Sequence, residues 1–281
     1  MRLGVLLAIL LAAVGCGGGA GTPPAPRPAP PGRAAAEAAP SGPLRATLRA
    51  PLAYEVARYD SLTYSGPGAG PPQISGKLGV LSVRQAGSHL EITLDSLEAA
   101  PGSRLSRPAA DSAVGARWQG PLSSTGAAGP LTATRRTITA EQMGEIARLL
   151  LPSLPKDGRS ADSWSDSSSY AIQMDAFEAV ESAAGRSRAA PIAKERGAGL
   201  AVTVEQQLTR TGHATQAGQE MTMKAAGRRL VTYELGPDGW VRSLAGRDSL
   251  EIRVTVSVTG QVIPVQWRTN FSARLRAPGG R

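Results

Sequence analysis

The chain has few of the residue types that bind metals. It contains one cysteine, Cys16, and two histidines, His89 and His213, among 281 residues. A zinc site needs three or four nitrogen, sulfur or oxygen ligands. Neither histidine has a further histidine or an acidic residue at the sequence spacing of a ligand pair. The sequence therefore predicts no metal site and no cofactor.

The sequence also lacks the motifs of common catalytic centres. It has no Gly-x-Ser-x-Gly nucleophile motif, and no glycine loop ending in Lys-Ser/Thr follows a predicted strand. The serine and aspartate residues of 162–169 precede a predicted strand, which is typical of turn chemistry. A serine nucleophile would need a positioned base and an oxyanion hole. We expect a protein that is not an enzyme and has no catalytic residues.

Lysine and aromatic residues are scarce as well. The formal net charge is +9, from 31 basic and 22 acidic residues, yet Lys77, Lys156, Lys194 and Lys224 are the only lysines, and aromatic residues make up 4%. A nucleic-acid site would cluster basic residues and interleave them with stacking aromatics. Here the arginines are spread singly along the sequence. The composition therefore indicates no nucleic-acid partner.

The one long apolar run lies at the N-terminus. A single charge at Arg2 precedes the twelve mostly apolar residues of 3–14, and small residues follow them. A membrane-spanning helix needs about 20 residues. The pattern therefore predicts a secretory signal peptide over 1–15.

The end of this run, Ala13-Val14-Gly15-Cys16, resembles the lipobox of bacterial lipoproteins, although that family prefers leucine at the place of Ala13. The resemblance implies cleavage before Cys16, acylation of its sulfur and of the new amine, and anchoring by these acyl chains. Gly17 in place of aspartate implies sorting to the outer membrane, with the domain in the periplasm or at the cell surface. An ordinary cleaved signal with an incidental cysteine is the alternative.

The segment 16–43 after the signal is rich in proline, glycine and alanine and has no large apolar side chain. Such a segment buries too little apolar surface to offset its ordering entropy. We expect a disordered tether there, then a single β-rich domain over 44–276 and a disordered tail over 277–281.

Apolar and polar residues alternate through most of 44–276, which predicts strands with one solvent-exposed face. The clearest cases are 90–95, 250–258 and 263–275. Hairpins are predicted at 236–239 and at Thr259-Gly260. The pattern predicts ten or eleven antiparallel strands in a curved sheet or half-barrel.

One segment has helical spacing. Met143, Ile146, Ala147, Leu150 and Leu151 recur at this period, and Thr139 with Gln142 forms a capping box. This predicts one amphipathic helix at about 139–151, which divides a first strand set (45–136) from a second (168–276).

Two family resemblances follow from this layout. Leu154-Pro155, Gly158, Asp162 and Trp164 resemble the helix end and loop of a family of exported bacterial proteins of uncharacterised function, although that family usually has glycine at the place of Ala161. More distantly, a helix over a curved antiparallel sheet is similar to the LolA/LolB half-barrel, which implies a concave face able to hold acyl chains.

Three tryptophans are the candidates to line a pocket or to plug the sheet, namely Trp164, Trp240 and Trp267. If they line a cavity, we expect an apolar or lipid ligand in the concavity of the sheet. If they fill a core, we expect an envelope-assembly or protein-interaction lipoprotein, with an exposed apolar patch or an unpaired strand edge. The oligomeric state is unknown from the sequence.

The substitution Cys16→Ser tests the anchor, because an oxygen at this position cannot receive the diacylglyceryl group. We expect the variant to leave the membrane fraction for the soluble fraction on ultracentrifugation of lysed cells. Wild-type chain from the same culture conditions is the control. A variant that sediments with membranes unchanged would contradict the lipoprotein assignment.

Overall fold

The computed structural model describes residues 45–65, 69–124, 126–135, 137–155, 162–174, 176–192, 199–216 and 218–277. The described residues all lie within the unit Pro40–Arg281. Cys16, the predicted signal peptide 1–15, the predicted tether 16–43 and Gly158 lie outside the described residues, as does all of the predicted tail 277–281 except residue 277.

Strands make up most of the domain. The elements are β1 (Leu52–Tyr64), β2 (Gln73–Ala86), β3 (His89–Ala99), α1 (Arg107–Ala113), β4 (Arg117–Pro121), β5 (Thr132–Ala133), α2 (Ile138–Leu149), β6 (Ser163–Met174), β7 (Phe177–Pro191), β8 (Leu200–Gln216), β9 (Gln219–Leu235), β10 (Val241–Val256) and β11 (Gln261–Leu275).

All eleven strands form one antiparallel sheet in the order β5-β4-β3-β2-β1-β11-β10-β9-β8-β7-β6. The predicted hairpins are confirmed, with 236–239 joining β9 to β10 and 257–260 joining β10 to β11. The two predicted strand sets meet where β1 pairs with β11 from Tyr54 opposite Leu275 to Tyr64 opposite Val265. The predicted fold class, a curved antiparallel half-barrel of ten or eleven strands, is confirmed.

The helices differ from the prediction in detail. Helix α2 begins after Thr137, whose side chain accepts a hydrogen bond from the Ala140 amide at 3.2 Å, so the predicted cap at Thr139 is wrong and Thr139 lies inside the helix. The seven-residue helix α1, which Ser106 caps at its N-terminus, was not predicted from the sequence. No helix of the described residues is long and apolar enough to cross a membrane.

The second strand set begins earlier than predicted. Strand β6 starts at Ser163, so Trp164 lies in a strand and not in a loop. Serine and Asp166 are tolerated in this strand because it is the last of the sheet and alternate side chains face solvent. The prediction that these residues form a turn was wrong. They belong to the edge strand of the sheet, and the sequence does not show which strand lies at an edge.

Helix α2 covers one face of the sheet, which we call the inner face. Gly144 of α2 packs against the buried Trp118 of β4, and a Cβ at Gly144 would lie 2.5 Å from the Trp118 Nε1 atom. Around this contact lies the first apolar cluster, which includes Tyr54, Leu81, Ile92, Met143, Ile146, Val231, Tyr233 and Trp240. Burial of these side chains holds α2 on the sheet.

A second apolar cluster lies on β6 to β11. Its members are Ile172, Met174, Ala179, Ala183, Leu208, Met223, Ala225, Leu250, Ile252, Val265 and Trp267. The first cluster contains Leu244 of β10 and the second contains Leu250 and Ile252 of the same strand. The inner face therefore has two apolar regions, one on each side of Asp248.

Glycine permits a close approach of strands on the inner face. A Cβ at Gly227 of β9 would lie 1.9 Å from the Ser249 carbonyl oxygen of β10, and one at Gly185 of β7 would lie 1.9 Å from the Glu205 carbonyl oxygen of β8. Backbone atoms of a paired strand cannot move aside cheaply. Glycine in a strand interior often marks such a close approach.

The substitution Gly227→Ala should therefore destabilise the domain. Overpacking in a well-packed interior costs about 1–3 kcal/mol and occasionally more, so we expect the free energy of unfolding in urea to fall by about 2 kcal/mol or more. The matched control is Gly70→Ala, because nothing lies within 4 Å of a Cβ at Gly70. Equal stability of the two variants would show that the β9–β10 contact is not as tight as described.

Candidate functional site

A layer of buried charges crosses the inner face between the two apolar clusters. We call it the charge layer. Its eight members are Arg58, Asp60, Lys77, Glu145, Glu181, Arg210, Arg229 and Asp248, all of them buried. Four are cations and four are anions, so the layer is neutral when all are ionised. Buried charges are tolerated when they are paired and hydrogen-bonded in this way.

Strand register brings these residues together. Arg58 of β1 lies opposite Lys77 of β2, Asp60 of β1 lies opposite Thr269 of β11, and Thr269 in turn lies opposite Asp248 of β10. Register also places Asp248 opposite Arg229 of β9. Directly opposed residues thus form the part of the layer from Asp60 to Arg229, and the pairs Arg58–Lys77 and Glu181–Arg210 flank it.

Asp60 is one centre of the layer. Its carboxylate accepts hydrogen bonds from Arg58 Nε at 2.9 Å, Lys77 Nζ at 3.0 Å and Thr269 Oγ1 at 2.8 Å. Trp267 Nε1 donates a further bond at 3.1 Å. Both carboxylate oxygens are therefore saturated by donors of this chain.

Glu145 is the one member that comes from a helix. Its carboxylate pairs with Arg58 Nη1 of β1 at 2.6 Å and with Arg210 Nη2 of β8 at 3.4 Å. Strands β1 and β8 are separated in the sheet by β11, β10 and β9. Four strand spacings of about 4.8 Å would hold them about 19 Å apart in a flat sheet. One carboxylate reaches both arginines because the sheet curls around α2.

Glu181 of β7 and Asp248 of β10 complete the layer. Arg210 Nε donates to Glu181 at 2.7 Å, and Arg229 Nη1 donates to Glu181 at 3.2 Å. Arg229 also holds Asp248 through two bonds of 2.9 and 2.7 Å, which is the bidentate geometry that makes arginine–carboxylate pairs strong.

The layer is chemically suited to holding the sheet around α2. Every carboxylate faces cations of the same chain, and the described residues contain no group of three or more His, Cys, Asp or Glu that could hold a metal ion. His89 and His213 are both exposed and lie on β3 and β8, away from this layer.

The three candidate tryptophans do not line one pocket. Trp240 is buried in the first apolar cluster, where its Nε1 atom donates to the Ala46 carbonyl at 2.8 Å. Trp164 is half-buried against the same cluster and donates to the Ser153 carbonyl at 3.2 Å. Trp267 belongs to the second cluster, with the Arg210 guanidinium 5.4 Å from its ring centre. Each therefore packs or hydrogen-bonds within the domain.

A small cavity remains between α2 and the sheet. It has a volume of about 60 Å³ and is lined by residues that include Arg148, Tyr170, Glu181 and Tyr233. Typical small-molecule pockets hold about 300–1,000 Å³. An acyl chain would need this space to open. The second apolar cluster offers a different surface, since Leu62, Phe177 and Ile263 pack against it and are partly exposed.

The two edges of the sheet differ. One edge tapers through β4, of five residues, to β5, of two residues. The other edge is β6, of twelve residues, which contains no lysine, proline or glycine. Within the described part of the chain β6 pairs with β7 alone. Natural sheets blunt their edges with short strands, lysine, proline, bulges or inward-pointing charges. The β5 edge is short, whereas β6 is long and carries one inward-pointing charge, Asp166.

The inner face of β6 is covered, and no described strand other than β7 pairs with it. Arg148 of α2 lies 5.2 Å from the ring centre of Tyr170, on the inner face. The outward-facing side chains of Ser165, Ser167 and Ser169 are exposed. The unpaired backbone groups of 165–171 can therefore accept an additional strand, which is the chemistry of β-augmentation.

Acid should unfold the domain through the charge layer. Burial alone would raise the pKa of Glu145, but Arg58 and Arg210 outweigh it and hold the pKa at about 2. The pKa of Asp60 is likewise lowered, because Arg58 and Lys77 outweigh its burial. Such carboxylates stabilise the fold above their unfolded pKa, near 4, and this stabilisation is lost as the pH falls toward the folded pKa. We expect the urea concentration at the unfolding midpoint to decrease as the pH is lowered from about 5 to about 2.

Two variants test whether the loss of stability in acid originates in the charge layer. Glu145→Gln leaves four cations and three anions in the charge layer, so one buried positive charge is uncompensated, and the free energy of unfolding at neutral pH should fall by about 3 kcal/mol. The difference in free energy of unfolding between this variant and the wild type should decrease as the pH falls, because Glu145 of the wild type is then protonated and loses its charge. Glu55→Gln removes an exposed pair with Arg276, worth at most about 1 kcal/mol, and should keep the wild-type profile. Parallel profiles for Glu145→Gln and wild type would contradict this account.

No protein-family model matches this chain, and no curated protein matches its sequence. Among solved structures, the chain is similar to the crystal structure of an outer membrane channel from Pseudomonas putida F1, with 9% sequence identity and a TM-score of 0.18, over 85% of this chain and 100% of that chain. A TM-score this low does not indicate a shared fold. The predicted resemblances to bacterial lipoproteins, to the exported family and to the LolA/LolB half-barrel stay predictions.

Proposed function

We propose that this protein is a lipid-anchored, non-catalytic lipoprotein of the outer membrane that binds an envelope protein by β-augmentation at β6. The observation that carries this proposal is the long edge of β6, which has no lysine, proline or glycine and contrasts with the shortened β5 edge of the same sheet. The partner is a protein that can present an extended segment to 165–171. The tether 16–43 would give the domain reach from the membrane.

The state of the inner face supports a site on the edge rather than in the concavity. The first apolar cluster, α2 and the charge layer occupy the inner face, and the cavity between α2 and the sheet holds only about 60 Å³. An apolar ligand would therefore have to displace packed side chains. A partner strand at β6 displaces none of them.

Binding of an apolar or lipid ligand is the second candidate function. The partly exposed Leu62, Phe177 and Ile263 beside the second apolar cluster favour it, because they offer apolar surface outside the region that α2 covers. This candidate requires a ligand seated on the second cluster and not beneath α2.

Site-specific photo-crosslinking in intact cells tests the edge. A benzophenone side chain at Ser165 of β6 should give a discrete adduct with one envelope protein. The double variant Ser167→Lys/Ser169→Lys, which places on the edge the charges that natural edges use against pairing, should abolish this adduct without lowering the melting temperature. The matched control position is Ser272, exposed on the same face of the interior strand β11.

The outcomes separate the two candidates. An adduct at Ser165 that survives the double lysine variant, or that appears equally from Ser272, would contradict augmentation at β6. A bound apolar molecule in native mass spectra of the full-length protein, without an adduct, would favour ligand binding at the second cluster.

A further inference from the structure

The outer face of the sheet carries a large hollow that the proposed function does not use. It has a volume of about 1300 Å³ and is formed by strands β6 to β11. Small and polar side chains such as Ala184, Thr203 and Ser249 line it. We call it the arginine hollow, because five exposed arginines line it: Arg186, Arg188, Arg228, Arg247 and Arg268.

Strand register clusters three of these arginines around one serine. Ser249 of β10 lies opposite Arg268 of β11 on one side and opposite Arg228 of β9 on the other. Two strand spacings place the backbones of Arg228 and Arg268 about 10 Å apart. Arg247 lies two residues before Ser249 on the same face of β10. Arg228 and Arg268 are 40 positions apart in the sequence, and the pairing of β9, β10 and β11 brings them close together.

The charges of the hollow are not neutralised within the domain. No described carboxylate forms an ion pair with any of the five guanidinium groups, whereas other surface arginines do have partners, such as Arg242 with Asp238 and Arg276 with Glu55. The lining holds two acidic residues. Asp248 is paired with Arg229 on the inner face, which leaves Glu205 as the exposed one. Glu205 lies opposite Arg186 in register, so the lining keeps an excess of four positive charges. The hollow is therefore strongly positive.

We propose that the arginine hollow binds a molecule that carries two or more phosphate groups, either free in solution or as a lipid headgroup. Planar guanidinium groups match phosphate oxygens in a bidentate manner, and a concave surface lined by one sign of charge concentrates its counter-ion. The volume exceeds what a single phosphate needs, so we expect several phosphates spread across the arginines. No aromatic side chain of the described residues lines the hollow, which disfavours stacked nucleobases.

This site is on a different face from the inner concavity and does not rest on pairing at β6. Its ligand would lie across β7 to β11, on side chains that are solvent-exposed in the described structure. Absence of augmentation at β6 would not contradict anion binding in the hollow, and absence of anion binding would not contradict augmentation at β6.

Calorimetric titration of the full-length protein in detergent tests the proposal with two probes. The first is inositol hexakisphosphate, and the second is a short-chain phosphatidylinositol bisphosphate in the same detergent. The double variant Arg247→Ser/Arg268→Ser should weaken binding about tenfold or more, because it removes charge-assisted hydrogen bonds. The matched control is Arg253→Ser/Arg274→Ser, which removes the same charge from the same strands and face outside the hollow.

A third variant, Ser249→Glu, places a carboxylate between Arg228 and Arg268 at an exposed position, so the fold should tolerate it. We expect this variant to lose binding as well. Loss of inositol hexakisphosphate binding in both hollow variants, but not in the control, supports a soluble ligand. The same pattern with the short-chain lipid alone supports a headgroup. Equal weakening in the control variant, or no binding of either probe to the wild type, would overturn the proposal.

Discussion

The carboxylate of Glu145 is the contact on which the arrangement of this domain depends. It joins α2 to Arg58 on β1 and to Arg210 on β8, two strands that a flat sheet would hold far apart. Removing charge from water is costly, so a buried carboxylate requires both cations in place. Curvature of the sheet, the position of α2 and the pairing of the remaining charges are therefore coupled through one side chain.

The charge layer also restricts strand register. A slip by one residue turns every side chain of a strand to the opposite face. For β9 this would carry Arg229 to the outer face and leave Asp248 and Glu181 buried without it. Apolar side chains tolerate a neighbour of similar volume, but a buried carboxylate does not tolerate the loss of its cation. We infer that the charges specify the register of β7 to β11 more strictly than the apolar clusters do.

Because α2, the first apolar cluster and the charge layer occupy their part of the inner face, the surfaces left for recognition are the edge of β6, the outer face and the apolar surface beside the second cluster. Backbone groups of β6 can recognise an extended segment of a protein, whereas the arginine hollow suits a polyanion. The two surfaces use different physical interactions, and they adjoin at Ser165 of β6, which also lines the hollow.

The sequence by itself determined most of the long strands, among them β3, β10 and β11, the hairpin at 236–239 and the helix over Met143 and Ile146, because period two and helical spacing are local properties. It carried a signal of the charge layer as well: Arg58 and Arg229 occupy positions of inward-facing parity, among apolar neighbours. Only the tertiary structure decided which charges meet, that Trp164 lies in an edge strand, and that distant arginines share one hollow. Pairings between strands far apart in the chain depend on register and curvature, and no local pattern encodes those.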